Sequence, residues 1–153
     1  MADREVLHQD TFNLQRFIDA QQSTYEQARS ELKAGQKRSH WMWYIFPQIA
    51  GLGFSSTAAR YAISGLQEAA AYLAHPVLGP RLRECTAIVN GIQNRSIEDI
   101  FGYPDHLKFR SSVTLFQQAQ TQRREAQQDV FSDALAKYFQ GQPDRATLEL
   151  LRL

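Results

Sequence analysis

Lys37-Arg38-Ser39-His40-Trp41-Met42-Trp43-Tyr44-Ile45-Phe46-Pro47-Gln48 holds both tryptophans of the chain, two further aromatic rings, a histidine and two leading cations. As a helix, residues 40–46 are apolar on nearly every side, and such a helix must be buried on nearly every side. As a strand, they put Trp41, Trp43 and Ile45 on one face and His40, Met42, Tyr44 and Phe46 on the other. The segment is too short for its period to decide. Helical patterns around it favour a short helix, which Pro47 ends, because proline disfavours helical geometry in the residue before it.

The flanking patterns are those of helices. Upstream, Leu14, Phe17 and Ile18 have the spacing of a buried stripe, with Asn13 placed to cap it. Ser23 and Glu26 have capping-box spacing before a helix that buries Tyr25, Ala28 and Leu32 and closes at Gly35. Downstream, residues 47–56 carry Pro47, Gly51, Gly53, Ser55 and Ser56 and read as a loop, the kind of segment that carries function. A helical turn near 57–63 follows. Ser64 and Gln67 open the next helix, and His75-Pro76 stops it. Leu78, Leu82, Cys85, Ile88, Val89 and Ile92 form an unbroken stripe behind Gly79-Pro80. Ser96 heads a short helix closed by Gly102, and a four-turn helix covers roughly 105–119. Residues 120–128 are almost wholly polar. Asp129 and Asp144 cap the last two helices. No repeat and no strand alternation is evident. The pattern predicts an all-α single compact domain of about seven or eight mostly short helices, too irregular for a simple four-helix bundle. A polar lead-in occupies residues 1–10, with the helical domain over 11–153.

The 153 residues are 43% hydrophobic and 22% charged, which is globular composition with enough chain for one full core. A net charge of +1 provides no global field for nucleic acid or an acidic membrane, and neither partner is expected. No apolar run has the length of a membrane span. One cysteine excludes an internal disulfide and fits a reducing compartment, and the polar first ten residues are unlike a signal peptide. The expected location is the cytoplasm.

Cys85 lies on an apolar stripe, where a small buried residue is the simpler reading than a nucleophile. His8, His40, His75 and His106 share no helical spacing with one another or with a cysteine, so no metal is expected. Gly51-Leu52-Gly53 lacks a preceding strand and a third glycine, so no cofactor fingerprint is present. His40, beside Trp41 and after Lys37-Arg38, is the one candidate catalytic residue, against a structural role. Trp41 and Trp43 suit either the centre of a core or the wall of a pocket. On a helix, residues two apart point to different sides, so one can serve each purpose. In the 105–116 helix, Lys108, Ser111 and Ser112 share a face, and a cation among hydroxyls can seat an anion. The alternative is small residues that permit close packing.

Lys37-Arg38-Ser39-His40-Trp41-Met42-Trp43 with Phe46-Pro47-Gln48 resembles the signature of the mainly bacterial domain-of-unknown-function family eighteen-ten. The likeness continues in Arg60-Tyr61-Ala62-Ile63, Tyr72-Leu73, His75-Pro76-Val77-Leu78-Gly79 and Leu82-Arg83-Glu84-Cys85. It ends in Ile100-Phe101-Gly102 and in Lys108-Phe109-Arg110-Ser111-Ser112 through Phe116, covering roughly residues 11–152. It implies a compact helical domain and supplies no catalytic residue. Some members carry a calpastatin-like label, which a packed globule does not support. From the residues themselves, the expectation is a pocket for a small anionic ligand, nucleotide-like ones included, where 37–48 and its following loop meet 105–116. Lys37, Arg38 and Lys108 would supply charge, Gln48, Ser111 and Ser112 hydrogen bonds, and Trp41 or Trp43 a stacking surface. A hydrolase or transferase on a nucleotide-derived or ADP-ribose-like substrate, using His40, is one alternative. A protein-interaction module or homo-oligomer is the other.

Overall fold

Ser111-Ser112-Val113-Thr114-Leu115-Phe116 are all buried, and six successive buried residues leave a helix no side facing solvent. A computed structural model describes residues 10–123 and 129–152 of the chain. Ten helices run through these residues: α1 Gln15–Gln22, α2 Tyr25–Lys33, α3 Met42–Ile45, α4 Ser56–Tyr61, α5 Leu66–Ala74, α6 Leu78–Asn90, α7 Ile97–Phe101, α8 Asp105–Arg123, α9 Val130–Phe139 and α10 Arg145–Leu151. The class is all-α. The number exceeds the seven or eight expected: the short pieces read at 40–46, 57–63 and 96–102 each count as a full helix, α3, α4 and α7, of four to six residues. Pro47 closely follows α3, extended backbone at Ala62 ends α4, and Gly102 at φ +79° ends α7. The 1–9 lead-in with His8, and the polar residues 124–128, lie outside the described residues.

The central helix is α8, which packs against α5, α7, α9 and α10. Two aromatic clusters lock it in place. Phe109 stacks on Phe101 at 4.8 Å and meets Phe46 edge-on at 5.1 Å, while Phe116 lies between Tyr72 and Phe131. Such pairs add about 0.5–1.5 kcal/mol each beyond the area they bury. The α5–α6 corner needs Gly79, where a Cβ would stand 2.1 Å from the Leu73 carbonyl oxygen.

Two buried carboxylates hold the irregular segments. Glu31 lies on the inner face of α2. Its Oε1 accepts from the Arg38 and Ser39 backbone N–H groups and from Trp41 Nε1, at 2.8, 3.0 and 2.9 Å. Its Oε2 accepts from the Ser39 hydroxyl at 2.6 Å. Glu68 takes the Ser64 N–H and hydroxyl, both at 2.8 Å, and pairs with Arg16 at 2.9 Å. Arg16 uses its remaining donors on the carbonyls of Phe12, Asn13, Arg60 and Ala62. A single parallel bridge, Ile49 to Ile63, closes the loop between α3 and α5.

Three expected caps differ. Asp10 accepts the Leu14 and Gln15 N–H groups, whereas Asn13, at φ +54°, turns the chain. Thr24, not Ser23, precedes α2, and its hydroxyl bonds back to the Ala20 carbonyl. Ser64 pairs with Glu68 rather than Gln67. Ser96, Asp129 and Asp144 cap as expected.

Desolvation, the largest single influence on Glu31, pushes its carboxyl up. The donors from Ser39, Arg38 and Trp41 together outweigh it and hold the group at about 2. This lies below the ordinary value of 4.5, so the contribution is complete above that pH and disappears as the pH falls toward 2. Its size is on the order of 3 kcal/mol. Glu31→Gln is expected to lose about that much at neutral pH and to show a flatter acid limb in urea titrations run from pH 7 down. An unchanged acid limb would remove Glu31 from this role.

Candidate functional site

A cleft of about 650 Å³ opens where the loop after α3, α4, the first turns of α8 and the start of α10 come together. Trp43 forms one wall with the loop from Gln48 to Ser55 and with Ala58, Ala59, Tyr61 and Ala62. Pro104, Leu107, Lys108 and Ser111 form the opposite wall, and Asp144 and Ala146 close one end.

The local sequence explains the cleft's shape. The α3 turn places Trp41 in the core and Trp43 at the cleft, so the two rings serve different surroundings. The loop contains glycine where the backbone needs it. Gly51 takes φ +104°, and the Leu150 side chain of α10 packs directly on it. Small residues on α4 (Ala58 and Ala59) leave the volume that larger side chains would fill.

Most polar atoms in the lining already have partners. Asp144 caps α10 through the Thr147 N–H and hydroxyl, and Ser55 caps α4 through the Ala58 N–H. The Ser111 hydroxyl donates to the Leu107 carbonyl within its own helix. Lys108 is the one cation of the lining among the described residues, and it is loosely held. Its ammonium lies 5.1 Å above the Trp43 ring, with the side chain 30% exposed, and its one ionic partner among the described residues is Asp105 at 3.4 Å. A partly exposed i, i+3 pair of that length is worth less than about 1 kcal/mol. A ligand can therefore draw Lys108 away at small expense.

The cleft includes Trp43, Gln48, Lys108 and Ser111 of the expected site, and not Lys37, Arg38, His40, Trp41 or Ser112. The reasons are physical. Lys37 is 93% buried at its side chain, held 2.8 Å from Asp105 Oδ2 and over the Trp41 ring at 5.1 Å. Trp41 donates to Glu31 in the core. Glu31 also grips the backbone at Arg38 and Ser39, which leaves the Arg38 and His40 side chains exposed and outside the cleft. Ser112 is wholly buried, and its hydroxyl has no hydrogen-bond partner. Cys85 is buried too, and desolvation pushes its thiol up to about 12, so it is an inert packing residue. Among the described residues no group of three or more His, Cys, Asp or Glu is placed to hold a metal ion.

Sequence reasoning missed Phe54, Tyr61, Pro104, Asp144 and Ala146. Phe54 had a readable signal, a lone aromatic between Gly53 and Ser55-Ser56 with no apolar stripe to join. Asp144 and Ala146 had none, because only the fold brings α10 against the loop.

Removing the unpaired hydroxyl of Ser112 leaves a methyl group of nearly the same shape. Ser112→Ala is expected to keep stability or raise it by up to about 1 kcal/mol in chemical denaturation. A loss of that size or more would place a hydrogen-bond partner there.

The fold recurs in a solved structure. The crystal structure of the conserved hypothetical protein Rv1873 from Mycobacterium tuberculosis matches with a TM-score of 0.88 and 53% sequence identity, over 94% of this chain and 99% of that one. No curated protein matches the chain. No helix among the described residues is long and apolar enough to cross a membrane. Residues 11–151 match the family described as "Protein of unknown function (DUF1810)", and the chain belongs to that family.

Proposed function

We propose that this single-domain protein binds a small anionic organic ligand in the cleft between the loop after α3 and the start of α8. The observation that carries this reading is the Lys108 ammonium over Trp43, on the wall of an otherwise mainly apolar cleft. Concave, apolar sites with a few convergent polar groups are the usual form of a small-molecule site. Gln48 and the outer lone pairs of Ser111 add places for hydrogen bonds. The enzyme reading has less support, because His40 stands outside the cleft and the Asp144 carboxylate there is occupied in capping α10. A cytoplasmic setting suits the one free, buried thiol.

The test is a thermal-shift panel of nucleotides, aromatic acids and aliphatic acids. A ligand at a hundred times its Kd adds about 2.7 kcal/mol, which raises the Tm of a domain this size by roughly 5–10 °C. Binders are expected among the anions, and Lys108→Ala should abolish their shifts. A flat response to every anion would end the proposal.

A second reading rests on a separate observation. Phe54, 96% exposed, and Leu107 line the same cleft, Leu150 packs on Gly51 of its loop, and Tyr103, 75% exposed, directly precedes the lining residue Pro104. An apolar rim of this kind also suits a protein partner or a second copy of the chain. Sedimentation velocity across a hundredfold concentration range would reveal self-association, and Phe54→Ser should suppress it. A monomer throughout would eliminate the homo-oligomer.

A further inference from the structure

Two lysines share one carboxylate at the head of α8. Lys37 holds Asp105 Oδ2 at 2.8 Å with its side chain 7% exposed, and Lys108 approaches Oδ1 at 3.4 Å with 30% exposure. The buried, shorter pair neutralises Asp105. One positive charge is left over, and it is the Lys108 ammonium above Trp43. Among the described residues, the only other charged group in the cleft lining is Asp144, occupied by Thr147.

We infer that the cleft selects a planar aromatic ligand carrying a single negative charge, with Lys108 as its counter-charge and the Lys37–Asp105 pair setting the limit of one. This deepens the binding reading above and rests on it. The anionic group takes the place of Asp105 at the Lys108 ammonium, in a charge-assisted hydrogen bond. The flat body lies against the wall that Trp43 shares with Tyr61 and Phe54. Among the described residues that line the cleft, a second negative charge on the ligand has no cation to meet. It would lie near the Asp105 carboxylate, whose compensating lysine is buried and already engaged. Polyphosphates, which need several cations or a cradle of backbone N–H groups, are poorly served by one lysine.

The inference is tested with dyes of matched shape. 8-Anilinonaphthalene-1-sulfonate has one sulfonate, and N-phenyl-1-naphthylamine is the same ring system without it. Fluorescence titration of the folded full-length chain should show the sulfonate binding about tenfold or more tighter than the neutral dye. Lys108→Met should erase that preference, bringing the two dyes to similar affinity. Naphthalene-1-sulfonate should displace the bound dye at lower concentration than naphthalene-1,5-disulfonate or ATP. Ala146→Trp and Ala59→Trp, both at exposed positions on the cleft wall, should weaken both dyes. Equal binding of the two dyes, unaffected by Lys108→Met, would overturn the single-charge inference and leave cleft binding standing. Displacement by the disulfonate or ATP at equal or lower concentration would overturn the limit of one charge. Dye fluorescence indifferent to both tryptophan variants would overturn the cleft reading itself, and this inference with it.

Discussion

A helix buried through six consecutive residues forces everything around it to act as cover. The enclosed part of α8 has α5, α7, α9 and α10 against it, and the chain order of those helices is secondary to the need to close each side. Thr114 shows how closely the cover is tied on. Its hydroxyl donates to the Arg110 carbonyl one turn back and accepts the Asp144 N–H at 2.8 Å, which anchors the entry to α10. At its N-terminal end α8 is flanked by the loop after α3 and the single-turn α3 rather than by a long helix. The cleft lies there, where the cover consists of the pieces least able to fill space.

Those pieces are held by charge. Four of the five polar contacts to Glu31 come from residues 38–41, and the fifth, from Gln27, comes from its own helix. Arg16 and Glu68 hold the exit of α4 in a similar way. Removing one partner of the Arg16–Glu68 pair strands the other charge, which commonly costs about 3–5 kcal/mol, whereas the donors to Glu31 are all uncharged groups. Both clamps therefore make the neighbouring backbone depend on a distant side chain.

The helices with strong stripes were legible because burial on one face imposes a period. Tyr25, Ala28 and Leu32 are buried as spaced, and so are Leu78, Leu82, Cys85 and Val89. The short α3 turn and its stop at Pro47 were legible from composition. The buried carboxylates were not. Glu31 and Glu68 look like ordinary solvent-facing residues until the chain returns to them from seven to fifty-two positions away. The same limit applies to the site. A pocket between the 37–48 region and the head of α8 could be inferred from costly residue types. Which cations face it depends on Asp105 choosing Lys37, a contact across 68 positions that spacing cannot reveal. For Ser112 the close-packing alternative holds, for a related reason: a hydroxyl in a helix looks useful, and in this chain it is a small residue in a crowded core.

The two walls of the cleft differ in what holds them. The α8 wall is part of the central helix. The α4 wall has no buried residue of its own and is tied down by Arg16 and by the lone bridge from Ile49 to Ile63. One side is thus a fixed anvil and the other a compliant jaw. A molecule entering the cleft would stiffen the jaw and leave the anvil unchanged, so the slowing of amide hydrogen exchange would fall on residues 50–62. Part of the binding free energy would go into ordering that segment, and substitutions that pre-stiffen it, away from any contact, would tighten binding.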